Sequence, residues 1–139
     1  MSIHNISFRT IAAATESEDR VKTALSLFLF DNEIESIKTE GHYGNPITIH
    51  QAHIKGRSCK LFIELLKSKL GEHDLKRLKN ESCERIDEDC VLHIRFDKQA
   101  AYKGIVHLAT TADTIAAEIK LKAYPARREK AVVVAQELF

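Results

Sequence analysis

The chain has 139 residues, of which 44% are hydrophobic and 29% charged, and its formal net charge is +1. This length suits a single domain over residues 1–139, large enough to bury roughly two thirds of the chain surface in one core. No apolar run approaches the roughly 18 residues of a membrane span, and the N-terminus lacks a signal-peptide pattern, so we expect a soluble, cytoplasmic protein. Three irregularly spaced cysteines and seven scattered histidines favour reduced thiols over a zinc site, which predicts no metal and no cofactor.

The first predicted elements are a strand and a helix. Residues 3–14 alternate between apolar and polar side chains, which places Arg9 on the face opposite the core. Residues 15–18 have the form of a capping box, in which the hydroxyl of Thr15 satisfies a free backbone N–H. Apolar residues then recur at helical spacing, so we predict a helix that continues to about Phe30.

A hairpin follows, with predicted strands at residues 33–39 and 47–54. The connection at residues 40–46 contains two glycines and an Asn-Pro pair, which favour an exposed turn. We interpret it as a loop whose His42 and Tyr43 rings stack on nucleobases. The alternative is a tight turn whose aromatic side chain packs on its own strands.

Two helices and an acidic loop form the middle of the chain. Ser58 is the predicted N-cap of a helix that Gly71 ends, and a shorter helix covers about residues 73–80. Residues 87–89 are consecutive carboxylates, which do not converge on one Mg²⁺ ion without ligands from elsewhere. We therefore interpret them as a solvated loop, with a magnesium site as the alternative.

The segment at residues 90–130 organises the predicted fold, because its alternation predicts three strands at 90–97, 105–109 and 115–123. The segment contains 8 Lys and Arg against 4 Asp and Glu. A cluster of that sign attracts polyanions even in a nearly neutral chain. The outward-facing cations of these strands are Arg95, Lys120 and Lys122.

A single helical turn is predicted between the first two of these strands. Asp97 is suited to cap it and Gly104 to end it. Such a turn projects Lys98, Tyr102 and Lys103 together as a candidate binding group. In the alternative, Tyr102 is a lid on the core.

The final predicted helix covers residues 125–138, since Pro125 suits a first helical turn. Three cations lie in that turn, where they oppose the helix dipole at a cost of about 0.3–1 kcal/mol each. We infer that these cations serve in binding. They are Arg127, Arg128 and Lys130.

The predicted element order is strand, helix, hairpin, two helices, three strands and helix. Because each strand has one apolar face, this order predicts an α+β fold, a two-layer sandwich with a mostly antiparallel sheet and helices packed on one face.

Three runs carry a resemblance to a known family: Gly-His-Tyr-Gly-Asn-Pro at 41–46, Arg-Phe-Asp-Lys-Gln-Ala-Ala-Tyr at 95–102, and residues 121–130. Together they resemble the archaeal family of predicted RNA-binding proteins proposed as accessory to the exosome. That family's fold is similar to the fold of the 5S-rRNA-binding ribosomal protein. The resemblance covers nearly the whole chain in element order. It implies RNA and exosome or other RNA-processing proteins as partners, and it carries no catalytic residues.

These observations predict a non-catalytic RNA-binding protein, an accessory factor in RNA processing or degradation. One alternative is a protein-interaction scaffold or regulator that docks on an RNA-processing complex. Another is a metal-dependent nuclease using Asp87, Asp89, Asp97 and a histidine, although the sequence has no phosphate-binding loop or zinc motif. The predicted RNA-binding residues are Arg9, His42, Tyr43, Arg95, Lys98, Tyr102, Lys103, Lys120, Lys122, Arg127, Arg128 and Lys130.

Overall fold

The protein folds as an antiparallel sheet backed by helices. The computed structural model describes residues 2–40 and 44–139. All sheet pairings between neighbouring strands are antiparallel, in the order β2-β3-β1-β5-β4, so the predicted α+β architecture is confirmed. Within the described residues the strands are β1 (Ile3–Ala13), β2 (Glu35–Glu40), β3 (Pro46–Lys55), β4 (Val91–Asp97) and β5 (Thr114–Leu121). The helices there are α1 (Glu18–Ser26), α2 (Arg57–Lys69), α3 (Glu72–Asn80), α4 (Ser82–Arg85), α5 (Lys98–Tyr102) and α6 (Arg128–Leu138).

The core lies between one face of the sheet and the helices. Four phenylalanines form its centre, two from strands and two from the helical side. The rings of Phe28 and Phe96 stack with centroids 4.7 Å apart, and Phe62 meets Phe8 edge to face at 5.3 Å. The helices α1, α2, α3, α5 and α6 all contribute buried apolar side chains to this one cluster, so they share one side of the sheet. None of the described helices is long and apolar enough to cross a membrane.

Helix α1 is shorter than predicted. It ends at Ser26 rather than near Phe30, because Phe30 and Asp31 both adopt positive φ angles that stop a right-handed helix. Its N-cap is Ser17, whose hydroxyl accepts from the backbone N–H of Arg20, so the prediction that Thr15 caps the helix is also wrong. Buried side chains continue past the helix end, which explains the longer apolar pattern in the sequence.

The predicted strand at residues 105–109 is not formed. A single bridge joins Leu108 to Phe96, and the N–H of Ala109 donates to the carbonyl of Arg95 at 2.9 Å. The N–H of Leu108 donates instead to the carboxylate of Asp74 on α3 at 3.1 Å. The segment is therefore fastened to a helix as well as to the edge of β4, and the ladder does not extend.

Several other boundaries differ from the predicted ones. Helix α2 begins one residue before Ser58, after Gly56, whose φ of 64° suits a residue without a Cβ. Helix α6 begins at Arg128 instead of Pro125, because Arg127 still has an extended backbone. The short helix α4 was not predicted. The capped turn α5 is confirmed, with Asp97 accepting from the N–H of Ala100 at 2.9 Å.

Candidate nucleic-acid interface

The face of the sheet opposite the helices is open to solvent. Along β1, Arg9 and Ile11 are exposed, whereas Phe8 and Thr10 between and beside them are buried. Strands β3, β4 and β5 show the same alternation. A sheet with one dry and one wet face therefore presents every second side chain of its central strands to a partner.

Two arginines lie side by side on this open face. Arg9 pairs across the sheet with Ala116, and Ala116 pairs with Arg95, so both arginines flank the same small side chain. Neighbouring strands are about 4.8 Å apart, which puts the two arginine backbones about 10 Å from each other. Their guanidinium groups can reach a shared polyanion across Ala116.

Two lysines form a second row nearer the start of β1. Lys55 and Lys120 both pair with Asn5, from β3 and β5 respectively. All are on the solvent side, and the row lies four residues along β1 from Arg9, or about 13 Å. The rows together make up what we call the basic sheet face, defined by Arg9, Lys55, Arg95 and Lys120.

The cations of the basic sheet face are not neutralised by neighbours. Every ion pair in the described part of the chain involves some other cation. The carboxylate between the two rows is Glu118, which lies 3.8 Å from the ring of His93. The basic sheet face therefore keeps its positive charge available to solvent and to anions.

His93 borders this surface and is tied to the acidic turn. Its Nε2 atom lies 2.8 Å from Asp87, whose other carboxylate oxygen accepts from the N–H groups of Asp89 and Val91. The hydrogen bond with His93 is the main cause that lowers the pKa of Asp87. Residues 87–89 are thus an internally bonded turn, and Asp97 is occupied in capping α5. In residues 2–40 and 44–139, no three His, Cys, Asp or Glu side chains gather as a metal site would need.

The expectation that Lys98 is an exposed cation is wrong. Its side chain is only 4% exposed, and its ammonium group lies 2.8 Å from Glu16 and 2.7 Å from Asp113. It also donates to the backbone carbonyl of Ile11 at 2.9 Å. Burial raises the pKa of Asp113, but hydrogen bonds from Gln99 and Lys98 outweigh it and the pKa is lowered overall. Lys98 is therefore a structural residue that joins α5 to β1, to the β1–α1 connection and to the segment before β5.

The other two residues of that turn remain on the surface. Tyr102 is 40% exposed, with the guanidinium carbon of Arg20 5.5 Å from its ring centroid, while Lys103 is exposed. This arrangement is a cation–π contact between α1 and α5. The predicted core-lid alternative for Tyr102 does not match this exposure, and one ring face is already occupied by Arg20.

The three predicted cations of the last helix differ in their surroundings. Arg128 donates to the backbone carbonyls of Ile86 and Cys83, so it joins α6 to the segment around α4. The expectation that Arg128 is a free cation is therefore wrong. Arg127 and Lys130 are exposed, as is Lys122 after β5. The predicted stacking residues His42 and Tyr43 lie outside the described residues.

Comparison with known proteins shows the family to which the chain belongs. A protein family described as RNA binding matches residues 5–121 of the chain. The chain belongs to this family. The RNA-binding protein PAB1135 of Pyrococcus abyssi is 40% identical over 99% of this chain and 94% of its own length. A crystal structure from Archaeoglobus fulgidus is 37% identical, with a TM-score of 0.89 over 99% of both chains. A second structure, from Methanothermobacter thermautotrophicus, is 32% identical with a TM-score of 0.87 over 99% and 98% of the two chains.

The range matched by the family contains the whole sheet except the first two residues of β1. It contains all four residues of the basic sheet face, and it ends at Leu121, before Lys122, Arg127 and Lys130. The relatives extend the likeness over nearly the full length of the chain.

Sequence reasoning missed two residues that the protein presents on its surface. Lys55 lies just beyond the predicted strand at 47–54 and is absent from the predicted cations, although its alternation with buried Ile54 was readable. Tyr124 lies just beyond the predicted strand at 115–123 and is absent from the predicted site, yet it is 97% exposed. A tyrosine next to a proline and between cations was the available signal.

An apolar row lies at the far end of the open face. Ile37 and Ile11 both pair with Ile49, so three isoleucines from β2, β3 and β1 lie side by side. Ile11 and Ile37 are 43% and 47% exposed. Ile11 lies two residues along β1 from Arg9, so the apolar row is next to the arginines on the same face. Exposed apolar side chains that adjoin one another form a surface that a partner can cover.

Proposed function

We propose that the protein is a non-catalytic RNA-binding protein that holds RNA on the basic sheet face. The observation that carries this proposal is the strand register, which sets Arg9 and Arg95 on either side of Ala116, and Lys55 and Lys120 on either side of Asn5. These four cations lie on an uncovered face and have no carboxylate partners among the described residues. Membership of an RNA-binding family, and the name of the relative from Pyrococcus abyssi, support RNA as the polyanion.

Affinity in this mode comes mainly from phosphate contacts. Lysine and arginine neutralise phosphates and release counterions, so binding weakens steeply as salt rises. Phosphates carry no sequence information, and contacts to them fix position and not identity. The proposed activity is therefore salt-sensitive binding with loose sequence preference, and Lys122 lengthens the surface beyond β5.

Filter binding across a salt series tests the proposal. Replacing Lys120→Glu together with Lys122→Glu removes two phosphate contacts and should lower the slope of log affinity against log salt by about 1.4 to 1.8. The matched control is Lys67→Glu together with Lys69→Glu, which makes the same charge change on exposed positions of α2. An equal loss of RNA affinity in the two double variants would show that affinity depends only on the net charge of the protein. Equal affinity of the Lys120/Lys122 variant and the unchanged protein would refute the sheet-face site.

The proposal includes an accessory role in RNA processing or degradation, in association with the exosome. The sequence resemblance to predicted exosome accessory proteins, with its ribosomal-protein-like fold, supports this role. The apolar row of Ile11, Ile37 and Ile49 offers a surface for a protein contact beside the basic sheet face. A complex could then present RNA held on one half of the sheet to a protein bound on the other.

Binding to purified exosome subunits after nuclease treatment tests the accessory role. We expect binding that survives nuclease and is lost in Ile11→Lys together with Ile37→Lys. RNA affinity that stays intact in the same variant separates the two surfaces. The alternative, a protein-interaction scaffold without its own RNA site, predicts instead that nuclease-resistant binding occurs while the unchanged protein fails to retain any RNA.

A further inference from the structure

Tyr124 is exposed to an extent that no other described large apolar side chain approaches. It is 97% exposed, and the next is Ile105 at 55%. Tyrosine rings have one apolar body and one polar tip, and they are enriched where a partner covers them. A ring left almost wholly in water contributes nothing to the core and is free to contact a partner.

The segment that carries Tyr124 has one hydrogen bond to the β1 side of the sheet and one within itself. The N–H of Lys122 donates to the carbonyl of Ser2 at 2.8 Å, which ties the start of the segment to the β1 side of the sheet. The N–H of Arg127 donates to the carbonyl of Pro125 at 2.8 Å, just before α6 begins. The ring is therefore presented from a short bonded connection at the end of β5.

Cations lie on both sides of this ring along the chain. Lys120 belongs to the basic sheet face, Lys122 follows it, and Arg127 lies three residues beyond Tyr124. All three are exposed, and none belongs to an ion pair among the described residues. Lys120, Lys122 and Tyr124 are alternate residues at and beyond the end of β5, and all three are exposed, so the ring lies four residues along the chain from the basic sheet face.

We propose that Tyr124 is a stacking platform for one unpaired nucleobase of the RNA held on the basic sheet face. The inference rests on the proposed function and adds the class of ligand, an RNA with an unpaired nucleotide beside its bound backbone. Bases within a duplex already stack on each other, so a loop, bulge or single strand supplies the free base. Every base has a π face, so the platform is tolerant of sequence.

A unique fluorescence reporter tests this contact. The chain has no tryptophan, so the Tyr124→Trp variant contains one tryptophan, at the proposed contact. Titration with a short single-stranded RNA should change the fluorescence of that variant as the base stacks on the indole. The matched control is Val133→Trp, which places an indole at a half-exposed position of α6 and should show no change.

Affinity measurements give an independent test. Tyr124→Ala should weaken binding of single-stranded RNA by about fivefold to a hundredfold and leave a long duplex RNA unaffected. Tyr124→Phe keeps the ring and should restore the affinity of the unchanged protein. Because the side chain makes no core contact, both variants should unfold like the unchanged protein.

The failures of the two proposals are distinguishable. If single-stranded RNA binds in a salt-dependent way and Tyr124→Ala binds it as well as the unchanged protein, the platform is wrong and the basic sheet face stands. If the unchanged protein binds no RNA, both are wrong. A third outcome would assign the ring to a protein partner instead. In that outcome a purified protein binds this chain in the absence of RNA, and Tyr124→Ala abolishes that binding while RNA affinity stays intact.

Discussion

The ammonium group of Lys98 lies 2.8 Å from the carboxylate of Glu16, a residue 82 positions earlier in the chain. This ion pair joins α5 to the segment between β1 and α1, and Asp113 completes it from the segment before β5. A charge with 4% exposure is stable only when its donors are satisfied, as they are here by two carboxylates and a carbonyl.

Lys98→Ala should therefore destabilise the fold and spare RNA binding. We expect the free energy of unfolding to fall by about 2 to 3 kcal/mol, because two carboxylates and one carbonyl lose a buried partner. Urea denaturation measures this change. Lys103→Ala, an exposed lysine five residues later, is the control and should shift stability by less than about 0.5 kcal/mol. A large loss of RNA affinity in a folded Lys98→Ala protein would contradict this assignment.

The paired arginines of the basic sheet face should act together. In Arg9→Ala and Arg95→Ala, each single change should lower RNA affinity, and the salt slope should fall by about 0.7 to 0.9 for every phosphate that is no longer neutralised. Because both flank Ala116, one bound phosphate can contact both, and the double variant should then lose less affinity than the sum of the two single effects. A double-mutant cycle measured at one salt concentration checks this. Strict additivity would show that they contact separate phosphates.

His50 makes stability sensitive to mild acid. It is fully buried on β3, with Nδ1 2.8 Å from the hydroxyl of Ser36, and its Nε2 atom has no partner among the described residues. Burial lowers the pKa of His50, with Lys22 acting in the same direction against Glu18. The unfolded chain therefore takes up this proton first, and stability is lost as pH falls below the ordinary histidine pKa of about 6.5.

Urea denaturation of the unchanged protein and of His50→Gln at a series of pH values tests this. The stability difference between the two should shrink as pH falls from about 7.5 towards 5, since only the unchanged protein has this buried imidazole. Every other side chain is the same in the two proteins, so its contribution cancels in the difference. A difference that does not vary with pH would show that His50 does not titrate in this range.

Asp74 should matter for the segment at residues 105–109. Its buried carboxylate accepts from the N–H of Leu108 at 3.1 Å and lies 2.6 Å from Nδ1 of His107. Asp74→Ala should cost about 1 to 3 kcal/mol, because a buried N–H loses its acceptor. Hydrogen exchange should show faster exchange at Leu108 in particular. Asp89→Ala, an exposed acidic position, is the control, and slow exchange at Leu108 in the Asp74 variant would contradict the assignment.

The strands were readable from the sequence because their signal is local. Alternation along β1, β4 and β5 places Arg9, Arg95 and Lys120 on the solvent side, and each position depends only on its neighbours in the chain. The same holds for the cap of α5, where Asp97 and Ala100 are three residues apart. Fold class follows from such local patterns once their order is known.

The errors concern residues whose surroundings come from distant parts of the chain. Lysine side chains are mostly exposed, so the sequence favours a surface position for Lys98. Its burial depends on Glu16 and Asp113, which come from other parts of the chain. Arg128 is similarly occupied by carbonyls more than 40 residues earlier. Neither partner is visible in a local pattern. Lys55 and Tyr124 differ from these, because their local signals are present in the sequence but each lies one residue beyond a predicted strand.

The outermost strand β2 has every residue exposed and one side without a neighbouring strand in the described structure. Such a border is open to pairing with another copy. If two copies met antiparallel about the middle of Glu35–Glu40, Glu35 of each would oppose Glu40 of the other, and Lys38 would oppose Ile37. Like charges directly opposite disfavour that pairing. The acidic ends of this strand should therefore disfavour a dimer formed through its border, and the sheet should remain five strands wide in solution.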